Sequence, residues 1–251
     1  MKSTELKIKN GSGINLAAVL DVPEGEVKAY AVYAHCFTCS KDLKAIANIN
    51  ESLAKSGIAV MRFDMTGIGG SEGEFSQTNF TTQIEDFLSV ADYLKNNYAA
   101  PQLVIGHSLG GCVAIESSLK LPAVKAVVTI SAPAEPSNLS IKLKNTKSRS
   151  LRDGIGEAEI GGVKFKFKPQ FWDDIESYSL KKALTEINRP ILIMHSPVDT
   201  YTAFENAEIL FSIAKPPKNF ITLNNIDHLM LKKSDANYVG DLIGTWFRKY
   251  I

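Results

Sequence analysis

Gly106-His107-Ser108-Leu109-Gly110 follows the apolar run Gln102–Ile105 directly and opens the helically spaced stretch Leu109–Leu119. A Gly-x-Ser-x-Gly pattern between a strand and a helix puts the serine in a sharp, strained turn, with small residues on both sides so that the backbone can fold that tightly. The hydroxyl is then exposed at the sheet edge, beside a helix N-terminus that favours developing negative charge. Ser108 is therefore the candidate nucleophile. The pattern alone does not single it out, because Gly69-Gly70-Ser71-Glu72-Gly73 matches as well. Ser71 lies several residues beyond the run Ile58–Phe63 and is followed by the polar stretch Glu74–Asn79. With no strand directly before it and no helix after it, Ser71 is assigned to a turn.

Working outward from Ser108, short aliphatic runs alternate with longer segments of helical period. The expected strands are Ile14–Leu20, Ala29–His35, Ile58–Phe63, Gln102–Ile105, Val124–Ile130, Ile191–His195 and Lys218–Thr222. The expected helices are Asp42–Lys55, Thr82–Asn96, Leu109–Leu119, Ala203–Ala214 and Ala236–Tyr250. This βα alternation implies an α/β fold, a mostly parallel sheet with helices on both faces. Ligands then bind beyond the carboxyl ends of the strands. One stretch breaks the rhythm. Glu157–Ile160, Gly161-Gly162 and Val163–Phe167 read as a β-hairpin with a Gly-Gly turn, followed by Phe171, Trp172 and Tyr178. Long insertions at strand ends are usually lids or binding loops. The expectation is one domain over 1–251 with a small inserted cap at about 134–187.

A serine hydroxyl needs a base to take its proton, and histidine is the usual one near neutral pH. In elbows of this kind the acid and then the histidine follow the serine along the chain. Of the four histidines, His35 and His107 precede Ser108. His195 comes before any good strand-end carboxylate of the next loop. His228, in the loop after Lys218–Thr222, is the candidate base. Asp199, in the loop after Ile191–Met194, is the candidate acid that orients it. The bland reading of Asp199 is a helix N-cap. Asp227 adjoins His228 but is poorly placed to face it, and Glu135 is the reserve acid.

The tetrahedral intermediate of acyl transfer needs two backbone donors. The amides of Leu109 and of Phe37, in the loop His35-Cys36-Phe37-Thr38-Cys39-Ser40, are the candidates. The same loop carries a Cys-x-x-Cys pair, which marks thiol–disulfide sites in other folds. A redox or peroxide-response protein using Cys36 and Cys39 is the rival class, and a non-catalytic binding protein is a third. On a hydrolase, oxidation of the pair is expected to disturb the loop. Cys36, His107, Phe171 and Trp172 are the candidate substrate-contacting residues.

The formal net charge of +1 gives no global attraction to nucleic acid or anionic membrane. The cap is locally basic (Lys142, Lys144, Lys147, Arg149, Arg152, Lys164, Lys166 and Lys168), which reads first as a solvated face. No apolar run approaches the roughly 18 residues of a membrane span, and Met1–Asn10 has no signal-peptide core. Three cysteines fit a reducing compartment. A cytoplasmic monomer or homodimer acting on a small-molecule ester, without metal or cofactor, is expected.

Gly106-His107-Ser108-Leu109-Gly110-Gly111, Asp199 and His228 resemble the triad of α/β-hydrolase superfamily serine hydrolases, across nearly the whole chain. Arg62-Phe63-Asp64 with Gly67, Gly69 and Ser71 is similar to a structural turn of that family. The segment His35–Asp42, with Ser131-Ala132-Pro133-Ala134 and Phe171–Asp174, resembles the hydrolase half of bacterial proteins that carry an OsmC-type domain after the hydrolase. The chain reaches only Ile251, so no OsmC-type domain is expected on it. The hairpin cap is similar in kind to that of feruloyl esterases. The resemblance implies a carboxylesterase for small or aromatic acyl groups. Cys36 and Ser196 stand where many members have glycine, and Cys36 adds a side chain near the oxyanion donor.

Overall fold

The computed structural model describes residues 1–251. Ten strands run β1 Lys2–Lys9, β2 Asn15–Val22, β3 Ala29–Ala34, β4 Ile58–Phe63, β5 Leu103–His107, β6 Ala126–Ile130, β7 Gly156–Ile160, β8 Val163–Phe167, β9 Ile191–His195 and β10 Lys218–Thr222. Eight of them form one sheet in the order β1-β2-β4-β3-β5-β6-β9-β10. The pairs β1/β2 and β2/β4 are antiparallel, and every pairing from β4 to β10 is parallel. Nine helices connect and cover the strands: α1 Lys44–Lys55, α2 Phe80–Asn97, α3 Leu109–Ser118, α4 Asn138–Lys142, α5 Lys144–Asp153, α6 Pro169–Ser177, α7 Leu180–Glu186, α8 Glu205–Ile213 and α9 Lys233–Phe247.

Strand alternation divides the core into two layers. Ala29, Ala31 and Tyr33 face the layer closed by Ile46, Ile49 and Leu53 of α1 and Val239, Ile243 and Phe247 of α9. Val32 and Ala34 face the other layer, with Ile84, Phe87 and Val90 of α2 and Val113 and Ile115 of α3. Burial on both faces is why these strands read as continuous apolar runs. The chain leaves β3 for β4 on one side and returns through α2 to β5 on the other. The switch point therefore falls between β3 and β5, where a crevice is expected.

The sequence placed seven of the eight sheet strands. It missed β1, where only Ile8 is buried and the lysines lie on an exposed edge; charged edges of this kind resist further pairing. Helix α2 starts two residues before its expected start because Asn79 caps it. The Asn79 side chain accepts the Thr82 N–H at 2.8 Å while the Asn79 N–H donates to Thr82 Oγ1 at 3.3 Å. The hairpin β7/β8 pairs apart from the main sheet, as a small cap. Gly161 and Gly162 both take positive φ at its turn, the requirement of a two-residue hairpin loop. Around it the cap is largely helical, in α4 to α7. Helix α5 reads KNTKSRSLRD and has almost no apolar stripe, so periodicity gave no signal for it.

A half-buried carboxyl lies at the seam of α3 and α7. Glu116 lines a cleft with Leu119, Tyr178, Ala183 and Glu186. Burial, and then the nearby Glu186 and Glu135, push its carboxyl up from 4.5 to about 7. The folded state holds this proton more tightly than the unfolded chain. The associated stability is fully present below pH 4.5 and is lost as the pH rises through about 7. Glu116→Gln is therefore expected to raise Tm at pH 8 and to change it little at pH 4, by thermal denaturation at both pH values. An equal shift at both would show that the charge is not responsible.

Candidate active site

Ser108 sits between β5 and α3 at φ 55°, ψ −127°, a backbone region that non-glycine residues rarely adopt. Its neighbours explain how the turn is held. A Cβ on Gly106 would stand 2.0 Å from the Gly110 carbonyl oxygen, and one on Gly110 would stand 2.4 Å from the His35 carbonyl oxygen. A Cβ on Gly111 would stand 2.6 Å from the Ala132 Cβ. All three positions require glycine, and the contact of Gly110 with His35 sets the start of α3 against the loop after β3. The Ser108 N–H donates to the Ile130 carbonyl at 2.8 Å, locking the turn to β6. The non-glycine residues with positive φ are Thr38, Ser108, Ser131, Asn225 and Met230. All lie in loops following β3, β5, β6 and β10, so the strained backbone gathers at one end of the sheet.

Asp199 and His228 meet across the loops after β9 and β10. The His228 Nδ1–H donates to Asp199 Oδ2 at 2.7 Å. The other oxygen, Oδ1, accepts the N–H groups of Tyr201 and Thr202 at 2.8 and 2.9 Å. Burial alone would raise this carboxyl, but the bonds from His228, Thr202 and Tyr201 outweigh it and hold it at about 2. Asp199 is thus ionised and fixes the imidazole with its proton on Nδ1, leaving Nε2 as a proton acceptor. The same carboxylate organises its own loop, so the turn reading of this residue also describes part of what it does.

His107 ties that assembly to the elbow. It is fully enclosed, and burial, followed by the neighbouring His228, pushes it down to about 3, so it is neutral. Its Nε2–H donates to the His228 carbonyl at 2.8 Å, and the two rings lie 4.9 Å apart. The residue before Ser108 in the chain thereby holds the loop that carries His228. The Ser108 hydroxyl makes no hydrogen bond in this structure, so the serine–histidine link itself is not formed; catalytic hydrogen bonds often tighten only with substrate in place.

Sequence reasoning missed Tyr201 and gave Lys142 and His195 no place at this site. Tyr201 stacks on His228 at 5.0 Å between ring centroids, and Lys142 of α4 lies over the Tyr201 ring at 4.8 Å. His195 is buried beneath Asp199, its Nε2 2.9 Å from the Thr202 carbonyl and 3.6 Å from Asp199 Oδ2. Tyr201 had no signal beyond lying two residues after Asp199. Of the other cap cations, Lys147 pairs with Glu176, Arg152 with Asp153 and Lys166 with Glu157, consistent with a solvated face.

Ser71 Oγ donates to the Asp64 carbonyl at 2.6 Å and accepts the Ala17 N–H at 2.9 Å, the work of a turn residue. Glu135 accepts the N–H groups of Leu180 and Lys181 at the start of α7. Asp227 accepts those of Leu229 and Leu231. Neither reserve carboxylate is bonded to His228. Leu109 opens α3, so its N–H belongs to a first turn that lacks helical acceptors. The Phe37 N–H has no acceptor within the protein. The Phe37 ring packs against Phe75, Phe167 and Phe171 at 5.9 to 6.1 Å. Trp172 is fully buried and stacks on Phe167 at 5.1 Å. An aromatic cluster contributed by the cap thus covers the loop that carries Phe37. Cys36 and Cys39 are joined in a disulfide. They lie in the loop before α1, which begins at Lys44, and not at a helix N-terminus as in many thiol–disulfide sites. No cluster of side chains that could hold a metal ion is present, and no helix is long and apolar enough to cross a membrane.

The family model described as serine aminopeptidase, S33, matches residues 26–153. The esterase domain of a Rhodothermus marinus protein is 37% identical, with a TM-score of 0.80, over 100% of this chain and 99% of that one. The human mitochondrial palmitoyl-protein thioesterase ABHD10 is 25% identical over 76% of this chain. The chain spans 64% of the length of that relative. Est1E from Butyrivibrio proteoclasticus, solved with ferulic acid, shares the fold at a TM-score of 0.79 and 20% identity, over 98% of each chain.

Proposed function

The chain belongs to the serine aminopeptidase S33 family of the α/β-hydrolase superfamily of serine hydrolases, and on that premise we propose that it is a carboxylesterase working through Ser108, His228 and Asp199. The observation that carries the reading is the 2.7 Å bond from His228 to Asp199, made by residues that follow an elbow serine in the order the fold requires. The ionised Asp199 keeps the His228 proton on Nδ1. Nε2 then takes the proton from Ser108 as its Oγ attacks the ester carbonyl. The N–H groups of Phe37 and Leu109 receive the oxyanion of the tetrahedral intermediate. Collapse returns the proton from His228 to the departing alcohol and leaves an acyl group on Ser108. Water, deprotonated by His228, attacks that acyl group; the bond to Ser108 Oγ breaks, His228 returns its proton to Oγ, and the acid is released. Every step uses side chains and amides of this chain.

The cap, taken as residues of about 134–187, bears on the acyl side. Phe165, Phe167 and Phe171 join Phe75 in a buried aromatic cluster that backs the partly exposed Phe37, an apolar setting suited to a small or aromatic acyl group. The Rhodothermus esterase domain supports an ester, and the thioesterase relative extends the reading to thioesters. A cytoplasmic location fits the low cysteine count, and the Cys36–Cys39 disulfide counts against it, because such bonds are rare in reducing compartments. A panel of p-nitrophenyl esters from acetate to decanoate, with a cinnamoyl-type ester, an S-acyl thioester and an aminoacyl amide, tests the substrate class. The short and aromatic esters are expected to give the highest kcat/KM. Turnover confined to the aminoacyl amide would overturn the reading in favour of a peptidase.

A further inference from the structure

The peptide joining Cys36 to Phe37 is held by three separate constraints. Its carbonyl and the Phe37 N–H share one rigid plane and point in opposite directions, so fixing the carbonyl aims the N–H. The Cys36 carbonyl accepts the His35 Nδ1–H at 2.7 Å and the Cys39 N–H at 3.0 Å. The His35 ring is itself anchored, its Nε2 accepting the Met65 N–H at 3.3 Å. The third constraint is the disulfide, which closes Cys36 on Cys39 across Thr38. Within that closure Thr38 sits at φ 61°, where a β-branched residue is strained. Its side chain only donates locally, to the Phe37 carbonyl.

We propose that the Cys36–Cys39 disulfide is a positioning element for the oxyanion donor Phe37, and that the pair is a thiol–disulfide site whose reduction slows ester hydrolysis. The proposal rests on the ester-hydrolase reading above. Its direction is the reverse of the expectation from sequence, since the loop is ordered by the closed pair. Cys36 is 3% exposed, and Cys39 is half-buried, so a small thiol reaches Cys39 first. A dithiol reductant attacks Cys39 Sγ as the thiolate, forming a mixed disulfide. Cys36 leaves as a thiolate and takes a proton. The second thiol of the reductant then displaces Cys39, which also takes a proton. Two electrons and two protons pass to the protein, and the reductant ends as its cyclic disulfide. With the ring open, Thr38 relaxes out of the left-handed region and the Cys39–Cys36 turn bond loosens. The bond from His35 remains, so the Phe37 donor is misaligned and not lost.

The test compares the protein as oxidised, after dithiothreitol treatment and removal of the reagent, and after reoxidation with glutathione disulfide. Alkylation and mass spectrometry report the state of each cysteine. On p-nitrophenyl acetate, kcat should fall about tenfold on reduction, less than the 10²–10³ for outright removal of one oxyanion donor, with KM nearly unchanged. Reoxidation should restore it. A Cys36→Ser/Cys39→Ser double variant should sit at the reduced value in every state. Cys112→Ala, which removes the one free thiol, should keep the response. Equal kcat in the oxidised and reduced protein, a rise on reduction, a change confined to KM, or an oxidised-like double variant would each overturn the lock alone. No hydrolysis in either state, with no labelling by a fluorophosphonate, would overturn the esterase reading and the lock with it.

Discussion

Ser108→Ala is expected to lower kcat on p-nitrophenyl acetate by about 10⁶-fold, the loss seen when a serine protease is deprived of its nucleophile. KM and Tm should remain close to those of the parent. The reason for unchanged stability lies in the elbow. Its backbone is held by the three glycine contacts and by the Ser108 N–H bond to Ile130, while the hydroxyl makes no bond. An alanine therefore inherits the same strained φ and removes only the attacking oxygen. Ser71→Ala is expected to do the opposite, because that hydroxyl joins Asp64 to Ala17. It should cost stability of about 1 kcal/mol, as for a typical lost hydrogen bond, and leave turnover in place. Measuring kcat, KM and Tm for both variants separates the two matches to the same pattern.

Asp199→Asn should cost about 10⁴-fold in kcat, the effect of the equivalent change in a serine protease triad. An asparagine oxygen in the place of Oδ1 still accepts the Tyr201 and Thr202 N–H groups, so the loop is preserved. The amide then faces His228 as a donor and pulls the imidazole proton onto Nε2, which can no longer accept from Ser108. The same substitution carries a pH signature. The folded carboxyl lies at about 2 against an ordinary 3.8. Its contribution to stability is complete above pH 3.8 and is lost as the pH falls through about 2. Between pH 4 and pH 2 the parent should therefore lose more stability than Asp199→Asn, by denaturant titration at each pH. Parallel losses would show that the carboxylate is not held by His228 in solution.

The parts of this site that were legible in the sequence are those fixed by local rules. Steric demand at Gly106, Gly110 and Gly111 writes the elbow into the chain, and strand-end loops place Asp199 and His228. Context between strand and helix separated Ser108 from Ser71. What stayed hidden depends on contacts between distant segments. His107 looked like a substrate-facing residue, and only the fold brings the His228 carbonyl to its ring. Tyr201 and Lys142 meet across a separation of 59 residues with no shared pattern. Helix α5 beside the hairpin was unreadable because it has almost no apolar face. The two cysteines were visible as a pair, but their effect on Phe37 required the backbone of the turn.

In the proposed mechanism Ser108 is the residue that takes the acyl group. Incubation with a fluorophosphonate, digestion and peptide mass spectrometry test it most directly. A single adduct on the peptide carrying Ser108, slowed by competing ester and absent in Ser108→Ala, is the predicted result. An adduct on Ser71 or another serine, or undiminished ester hydrolysis without any adduct, would contradict it.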